Sequence, residues 1–292
     1  MELVLENVEK TYANGVQALK GVNLNIAQDM FGLLGPNGAG KSTLMNTIAT
    51  LQDPSGGKIR LGDIDVVSQK TEMRRRLGYL PQDFGVYSGV SAVDMLDYIA
   101  QLKGVSDPGA RKAKIHGLLE MVNLSDARNR SVDTYSGGMR QRFGVAQALL
   151  GDPDVLIFDE PTAGLDPAER IRLHNTLSEI GRHAIIILST HIVEDVANLC
   201  SLLAIQDKGS VVAQGAPSAL IDALDGQIWS ALIDRSDLAE HMARHHAIST
   251  RPRLDKVEIV VRSKQAPGAP YALKTPDLED VYFTHVPQLR DA

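Results

Sequence analysis

Three features that often define a class of protein are scarce in this sequence: cysteine, excess positive charge and long apolar runs. Cys200 is the only cysteine among 292 residues, which excludes an intramolecular disulfide and a metal site built from cysteines. Acidic residues outnumber basic residues 36 to 30, so the net charge gives no reason to expect nucleic-acid binding. The apolar runs, such as residues 184–188, have the length of strands and fall short of the ~20 residues that cross a bilayer. We therefore expect any membrane pathway associated with this chain to be supplied by another polypeptide.

A glycine-rich string, GPNGAGKST, occupies residues 35–43 and fits the pattern G-x-x-x-x-G-K-[ST]. In such a loop the backbone N–H groups wrap the phosphates of a nucleotide, the lysine neutralises phosphate charge and the serine hydroxyl can bind Mg²⁺. The loop follows a short apolar strand and precedes a segment with helical spacing, which is the context that the motif requires. The predicted nucleotide-binding residues of this loop are Gly35, Pro36, Asn37, Gly38, Ala39, Gly40, Lys41, Ser42 and Thr43.

Two acidic residues end the apolar string VLIFDE at residues 155–160. Asp159 lies where a parallel strand reaches the carboxyl edge of its sheet, so its carboxylate could bind a metal ion beside the phosphates. Glu160 could orient the attacking water or accept its proton. Paired acids after a strand also serve as helix caps, and the intact phosphate loop favours the catalytic interpretation.

A second anion-binding element is predicted at residues 135–142, where YSGGMRQR leads into a helix. Glycines let the backbone approach a ligand closely, and the first N–H groups of a helix attract anions. Two phosphate-binding elements for one triphosphate suggest a composite site.

The string LSTH at residues 188–191 adds a histidine after an apolar strand. Taken in order, these strings resemble the ATP-binding subunit of an ABC transporter, and the resemblance covers residues 1–215. It implies an α/β P-loop NTPase ABC cassette with a mixed-sheet core, an antiparallel β subdomain and a helical subdomain. It also implies ATP and Mg²⁺ as cofactors and an ATPase activity.

In this family two subunits pack head to tail and hold ATP between the phosphate loop of one and the Ser-Gly-Gly helix start of the other. By this match, Ser136, Gly137 and Gly138 would contact the γ-phosphate across a dimer, which we expect to be a homodimer. Tyr135 and Met139 stand where the family usually has Leu and Gln, while the Ser-Gly-Gly core is kept.

Further roles also follow from the resemblance alone. Gln82 matches the glutamine that touches metal and water and faces the membrane partner, and His191 matches the histidine that contacts the γ-phosphate. Asp166 matches the loop that communicates between the two sites, although Ala163 replaces a frequent serine there. Tyr12 matches the aromatic residue that stacks on adenine. The predicted catalytic residues are Glu160, His191 and Gln82, and the predicted metal ligands are Ser42, Gln82 and Asp159.

The sequence divides into a predicted cassette, residues 1–216, with a helical subdomain at about 83–150, and a small α+β C-terminal accessory domain, residues 217–292. Within the latter, PDLEDVYFTHV at residues 276–286 resembles the C-terminal segment of exporter-type subunits of drug and antibiotic efflux systems. We therefore expect a motor subunit for export, bound peripherally at the cytoplasmic face of the cell membrane to a separate integral-membrane permease, with no nucleic-acid partner.

Other classes of ABC ATPase fit less well. Chromosome-maintenance and break-repair relatives place a long coiled coil between the two phosphate motifs, and no sustained heptads occur here. Ribosome-acting relatives carry two cassettes in one chain, and excision-repair relatives need cysteine-ligated zinc. A soluble ATPase of iron–sulfur assembly has a similar cassette and stays open as the alternative.

Overall fold

Three β-sheets organise the part of the chain that the computed structural model describes, residues 1–180 and 184–286. The sequence also predicts a crossover helix over residues 167–181, and its last residue, Gly181, lies outside the described residues, as do residues 287–292 of the predicted accessory domain. The strands pair in the orders β2-β1-β4-β5, β10-β9-β3-β8-β7-β6 and β12-β13-β11-β14.

The first sheet is antiparallel and comprises β1 (Glu2–Thr11), β2 (Gln17–Ala27), β4 (Gly56–Leu61) and β5 (Ile64–Asp65). Its strands alternate between exposed and buried positions, because only one face packs on the core. Leu3, Leu5 and Val8 illustrate the buried set on β1. The predicted antiparallel β subdomain is confirmed.

The central sheet carries the nucleotide motifs on parallel strands. It comprises β3 (Met30–Leu34), β6 (Leu77–Leu80), β7 (Val155–Asp159), β8 (Ile185–Thr190), β9 (Leu202–Asp207) and β10 (Ser210–Gly215). All neighbours are parallel except β10, which pairs antiparallel with β9, so the predicted mixed sheet is confirmed. Strands β3, β7 and β8 are buried at every position, as expected for strands covered on both faces.

Seven helices pack around these two sheets. They are α1 (Lys41–Ile48), α2 (Lys70–Arg75), α3 (Ala92–Leu102), α4 (Pro108–Met121), α5 (Gly137–Leu149), α6 (Pro167–Ile180) and α7 (Val193–Leu199). The predicted helical region holds α3, α4 and α5. The side chains of Ser91, Asp107 and Ser136 cap these three helices in turn, each accepting a backbone N–H from the first turn. In the described ranges, no helix combines the length and the apolar character needed to span a membrane.

The last sheet follows α8 (Pro217–Asp222). It comprises β11 (Ile228–Asp234), β12 (Ala247–Arg253), β13 (Lys256–Arg262) and the two-residue β14 (Ala272–Leu273), accompanied by α9 (Leu238–Arg244) and α10 (Leu278–His285). Asp277 and Asp280 form a capping box at the start of α10. The buried side chains of α10 join the same hydrophobic cluster as residues of β9 and α7, such as Leu203 and Val196.

Candidate nucleotide-binding site

The phosphate loop between β3 and α1 borders a cavity of about 510 Å³ at the carboxyl edge of the central sheet. This is the edge where parallel α/β sheets bind ligands. The predicted site residues that line the cavity are Pro36, Asn37, Gly38, Gly40, Lys41, Ser42, Thr43, Gln82 and Glu160. Strands β3, β6 and β7 thus bring loop, glutamine and glutamate to one place.

Backbone geometry fixes the shape of the loop. Gly40 has φ of 103° and caps α1, and a Cβ added there would lie 2.5 Å from the carbonyl oxygen of Ala18. Only glycine satisfies both conditions. The Lys41 ammonium folds back on the same loop and donates to the carbonyl oxygens of Gly35 at 2.7 Å and Pro36 at 3.2 Å. Burial lowers the pKa of Lys41, while the nearby Glu160 and Asp159 carboxylates oppose that shift.

Asp159 carries the oxygen atoms best suited to a metal ion. Its side chain is 3% exposed, and its Oδ1 finds no hydrogen-bond partner among the described residues. Burial raises the pKa of Asp159, and the nearby hydroxyl groups of Ser189 and Ser42 oppose that effect. The Ser42 hydroxyl and an unpaired carboxylate oxygen are hard donors of the kind that Mg²⁺ prefers, so this set fits the ion.

Glu160 is the point where the three predicted catalytic side chains meet. Its Oε1 lies 3.0 Å from Nδ1 of His191, and its Oε2 accepts from Nε2 of Gln82 at 3.2 Å. Lys41 Nζ lies 4.0 Å from Oε1. Glu160 also has a left-handed backbone, with φ of 50°, which costs roughly 1 kcal/mol in a residue other than glycine. Its N–H donates to the Ser189 carbonyl at 2.8 Å, and this bond helps to hold the strained conformation.

The Ser-Gly-Gly helix start lies elsewhere and does not line the cavity. Ser136 accepts the N–H of Met139 at 3.2 Å, and both Ser136 and Gly137 are exposed. Gly138 packs so closely on the Glu169 carboxylate that an added Cβ would lie 2.4 Å from its Oε2. Within one chain this predicted second anion-binding element therefore faces solvent.

The departure from the family pattern at Tyr135 has a packing explanation. The ring is buried and meets Phe143 edge to face, with centroids 6.3 Å apart. Its hydroxyl donates to the Ala127 carbonyl at 2.8 Å. A tyrosine therefore fills an apolar position while its polar end finds an acceptor.

Tyr12 and Asp166 lie near functional segments without lining the cavity. Tyr12 is 39% exposed, and its hydroxyl lies 3.2 Å from both Thr43 Oγ1 and Gln52 Oε1. Asp166 accepts the N–H of Glu169 at 2.9 Å at the start of α6.

Two lysines that the sequence reasoning missed also line the cavity, Lys20 on β2 and Lys208 in the β9–β10 turn. The Lys20 N–H donates to the Gly209 carbonyl at 2.9 Å, and the Gly209 N–H donates to Ala39 at 2.8 Å. Only the pairing of distant segments brings these charges to the phosphate loop, so no local motif could have revealed them.

A phosphate loop between strand and helix, with an acidic pair ending a neighbouring strand, defines the protein as a P-loop NTPase. The sequence profile of the family described as ABC transporter matches residues 19–163. The Nod factor export ATP-binding protein I of Burkholderia orbicola (strain AU 1054) is 34% identical over 290 residues, which cover 95% of this chain and 94% of that protein. The daunorubicin/doxorubicin resistance ATP-binding protein DrrA of Streptomyces peucetius is 36% identical over 217 residues, 74% of this chain and 66% of the relative.

Solved structures agree with these relatives. The dimeric structure of a bacterial ABC transporter cassette superimposes with a TM-score of 0.67 at 27% identity, covering 73% of this chain and 98% of that one. A post-hydrolysis dimer of the same cassette, bound to ADP and Pi, superimposes equally well. The chain therefore belongs to the ABC transporter family, as an ATP-binding subunit with ATPase activity. The relatives give no support to the iron–sulfur assembly alternative.

Proposed function

We propose that this chain is the motor subunit of an exporter, in which ATP-driven closure of a head-to-tail dimer moves substrate through a separate membrane permease. The observation that carries the proposal is the convergence of Gln82, His191 and Lys41 on the Glu160 carboxylate at the edge of the cavity. The direction of transport rests on the relatives, which are named for Nod factor export and for drug resistance.

Phosphoryl transfer in this class depends on positioning and on stabilisation of charge. Lys41 would hold the terminal phosphates, and Glu160 would orient the attacking water and receive its proton. His191 and Gln82 would fix the carboxylate through the contacts described above. Ser42, Gln82 and Asp159 would hold Mg²⁺, which when bound neutralises charge on the phosphate oxygens.

The exposed helix start at Ser136, Gly137 and Gly138 implies a second copy of this chain. Its N–H groups would bind the γ-phosphate of the nucleotide in the opposing cavity. The dimer interface then depends on the ligand, because only the closed state makes these contacts, and loss of the γ-phosphate reopens it. Asp166, at the start of α6, would lie along this interface.

The remaining assignments complete the proposal. Tyr12 would stack on adenine. Residues 1–216 form the cassette and residues 217–292 the accessory domain. The helical subdomain, at about residues 83–150, follows Gln82 in the chain and would contact the permease. In this proposal the chain is a peripheral subunit at the cytoplasmic face of the membrane.

The test uses Glu160→Gln, which removes the base and keeps the shape of the side chain. We expect kcat to fall about 10²- to 10⁴-fold, while ATP binding persists and MgATP converts the protein to a stable dimer in size-exclusion chromatography with light scattering. Glu6→Gln is the matched control, because that carboxylate is exposed and pairs with the exposed Arg60 at 3.2 Å.

The same tagged Glu160→Gln protein should recover a polytopic membrane protein from detergent-solubilised native membranes, and more of it with MgATP. Turnover at the wild-type rate would remove Glu160 from the mechanism. Recovery of soluble partners alone would contradict the transporter assignment.

A further inference from the structure

Asp195 is a fully buried carboxylate that the proposed mechanism does not use. It lies on α7, the helix that begins two residues after His191, and its exposure is 0%. A buried charge is costly unless it is paired and hydrogen-bonded, so its partners indicate what it holds together.

Three side chains from two other segments satisfy this carboxylate. Thr162 Oγ1 donates to Oδ2 at 2.5 Å, and Arg170 Nε donates to Oδ1 at 2.7 Å. His174 Nε2 lies 2.9 Å from Oδ1. Thr162 comes two residues after Glu160, while Arg170 and His174 lie on α6, which begins directly after Asp166.

We propose that Asp195 is a positioning residue for ATP hydrolysis, which locks α7 to the segment after Glu160 and to α6 and so holds His191 against Glu160. This inference rests on the proposed roles of Glu160 and His191. Asp195 would act through His191, without touching the nucleotide.

The hydrogen bond between Thr162 and Asp195 makes the surroundings of the Glu160–His191 pair rigid. Thr162 follows Glu160 closely along the chain, and Asp195 follows His191. The hydrogen bond between Thr162 and Asp195 therefore restrains both members of the Glu160–His191 pair. Packed elements move as units and do not deform continuously. A displacement of α6 at Asp166 would therefore be carried through Arg170 and His174 to α7, and then to His191.

Asp280 provides a matched comparison. It is also a buried carboxylate, 4% exposed, and it pairs with Lys274. Its other contacts lie at the start of its own helix, α10, where it accepts the N–H of Asp277 at 3.0 Å. Asp280 thus resembles Asp195 in burial and charge, but its hydrogen bonds do not reach the Glu160–His191 pair.

The experiment compares Asp195→Asn, Thr162→Val and Asp280→Asn in the full chain, with kcat and KM for ATP measured beside thermal unfolding. We expect kcat to fall about tenfold for Asp195→Asn and about threefold for Thr162→Val, with KM unchanged. Thr162→Val keeps the volume of the side chain and leaves Asp195 paired with Arg170. This variant therefore tests the inference even if Asp195→Asn fails to fold. Asp280→Asn should lower the melting temperature without changing kcat.

A double-mutant cycle with His191→Ala identifies the route of the effect. If Asp195 acts through His191, Asp195→Asn should lower kcat less than twofold in the His191→Ala background. Multiplicative losses, or a kcat within twofold of wild type for Asp195→Asn alone, would overturn the inference while leaving the proposed function intact. A wild-type kcat for His191→Ala would instead overturn the role proposed for His191, and the inference with it.

Discussion

Two helix starts in this molecule carry glycine-containing anion motifs, and they differ in what surrounds them. The start of α1, at Lys41, borders the cavity and faces buried charges, Glu160 at 4.0 Å and the neighbouring Asp159. The start of α5, at Ser136, is exposed and uses its own hydroxyl to cap the helix. The first start has the proposed reacting groups beside it in the same chain, whereas the second has none of the proposed reacting groups among the described residues that surround it. This difference is what a site completed by a second copy requires.

The two starts are also held in different ways. The loop before α1 is fixed by backbone contacts with β2 and the β9–β10 turn, through Ala18 and Gly209. The α5 helix is anchored by side chains. Arg142 lies 3.2 Å from Glu169 on α6 and donates to the carbonyl oxygens of Val122 and Asn123 at 3.0 Å each. The α1 start should therefore respond to changes in charge, and the α5 start to changes in packing.

The largest effect is expected for Lys41→Ala. It removes the ammonium that closes the loop and leaves Glu160 without its cationic neighbour, so kcat/KM for ATP should fall about 10³-fold. Lys20→Ala, in the same cavity wall but exposed, should change kcat/KM less than about fivefold. Steady-state ATPase assays measure both variants. Comparable losses of kcat/KM would mean that the position of the Lys41 charge at the start of α1 does not matter for ATP hydrolysis.

A smaller effect is expected for Gly138→Ala at the other start. The added methyl group would collide with the Glu169 carboxylate and displace the helix start, so kcat should fall about 10²-fold while ATP binding to the monomer is unchanged. Gly117→Ala on α4 is the control, because Gly117 is exposed, takes no part in the proposed phosphate contacts, and a Cβ there has no neighbour within 4 Å. Equilibrium measurements of nucleotide binding report on the monomer, and measurements of MgATP-dependent dimerisation report on the closed dimer. If Gly138→Ala lost ATP binding to the monomer, the proposed difference between the two helix starts would be contradicted.

Arg142→Ala should weaken the α5 anchor. It leaves the Glu169 side chain, which is only 15% exposed, without its buried cationic partner, and the free energy of unfolding should fall by about 3 kcal/mol in chemical denaturation. Arg172→Ala removes the exposed partner of the same carboxylate, at 2.5 Å, and should cost less than about 1 kcal/mol. Equal losses would show that burial does not distinguish the two pairs.

The smallest effect concerns Tyr12. Its hydroxyl contacts with Thr43 and Gln52 are exposed, so Tyr12→Phe should change KM for ATP less than about twofold. Tyr12→Ala also removes the ring face and should raise KM about five- to tenfold if the ring stacks on adenine. A larger effect for Tyr12→Phe than for Tyr12→Ala would exclude stacking as the main contribution.

Local motifs account for what the sequence predicted well. The phosphate loop, the acidic pair and the strands around them are short contiguous strings whose geometry follows from glycine, burial and periodicity. Gln82 and His191 were predicted through family resemblance, and their contact with Glu160 is now seen. Strand β6 was missed because four residues show no period. The hydrogen bonds around Asp195 were missed because their partners are distant in sequence and meet only when α6 and α7 pack together.

Helix α10 has a consequence for the history and handling of this chain. Leu278, Val281 and Tyr282 are buried in the cluster that also contains Val196 of α7 and Leu203 of β9. A gene shortened after residue 216 would encode a protein with a bare apolar strip beside α7, prone to aggregation and proteolysis. We therefore expect both parts to be needed in one expressed chain, and a chimera of two relatives should take α7 and α10 from the same parent.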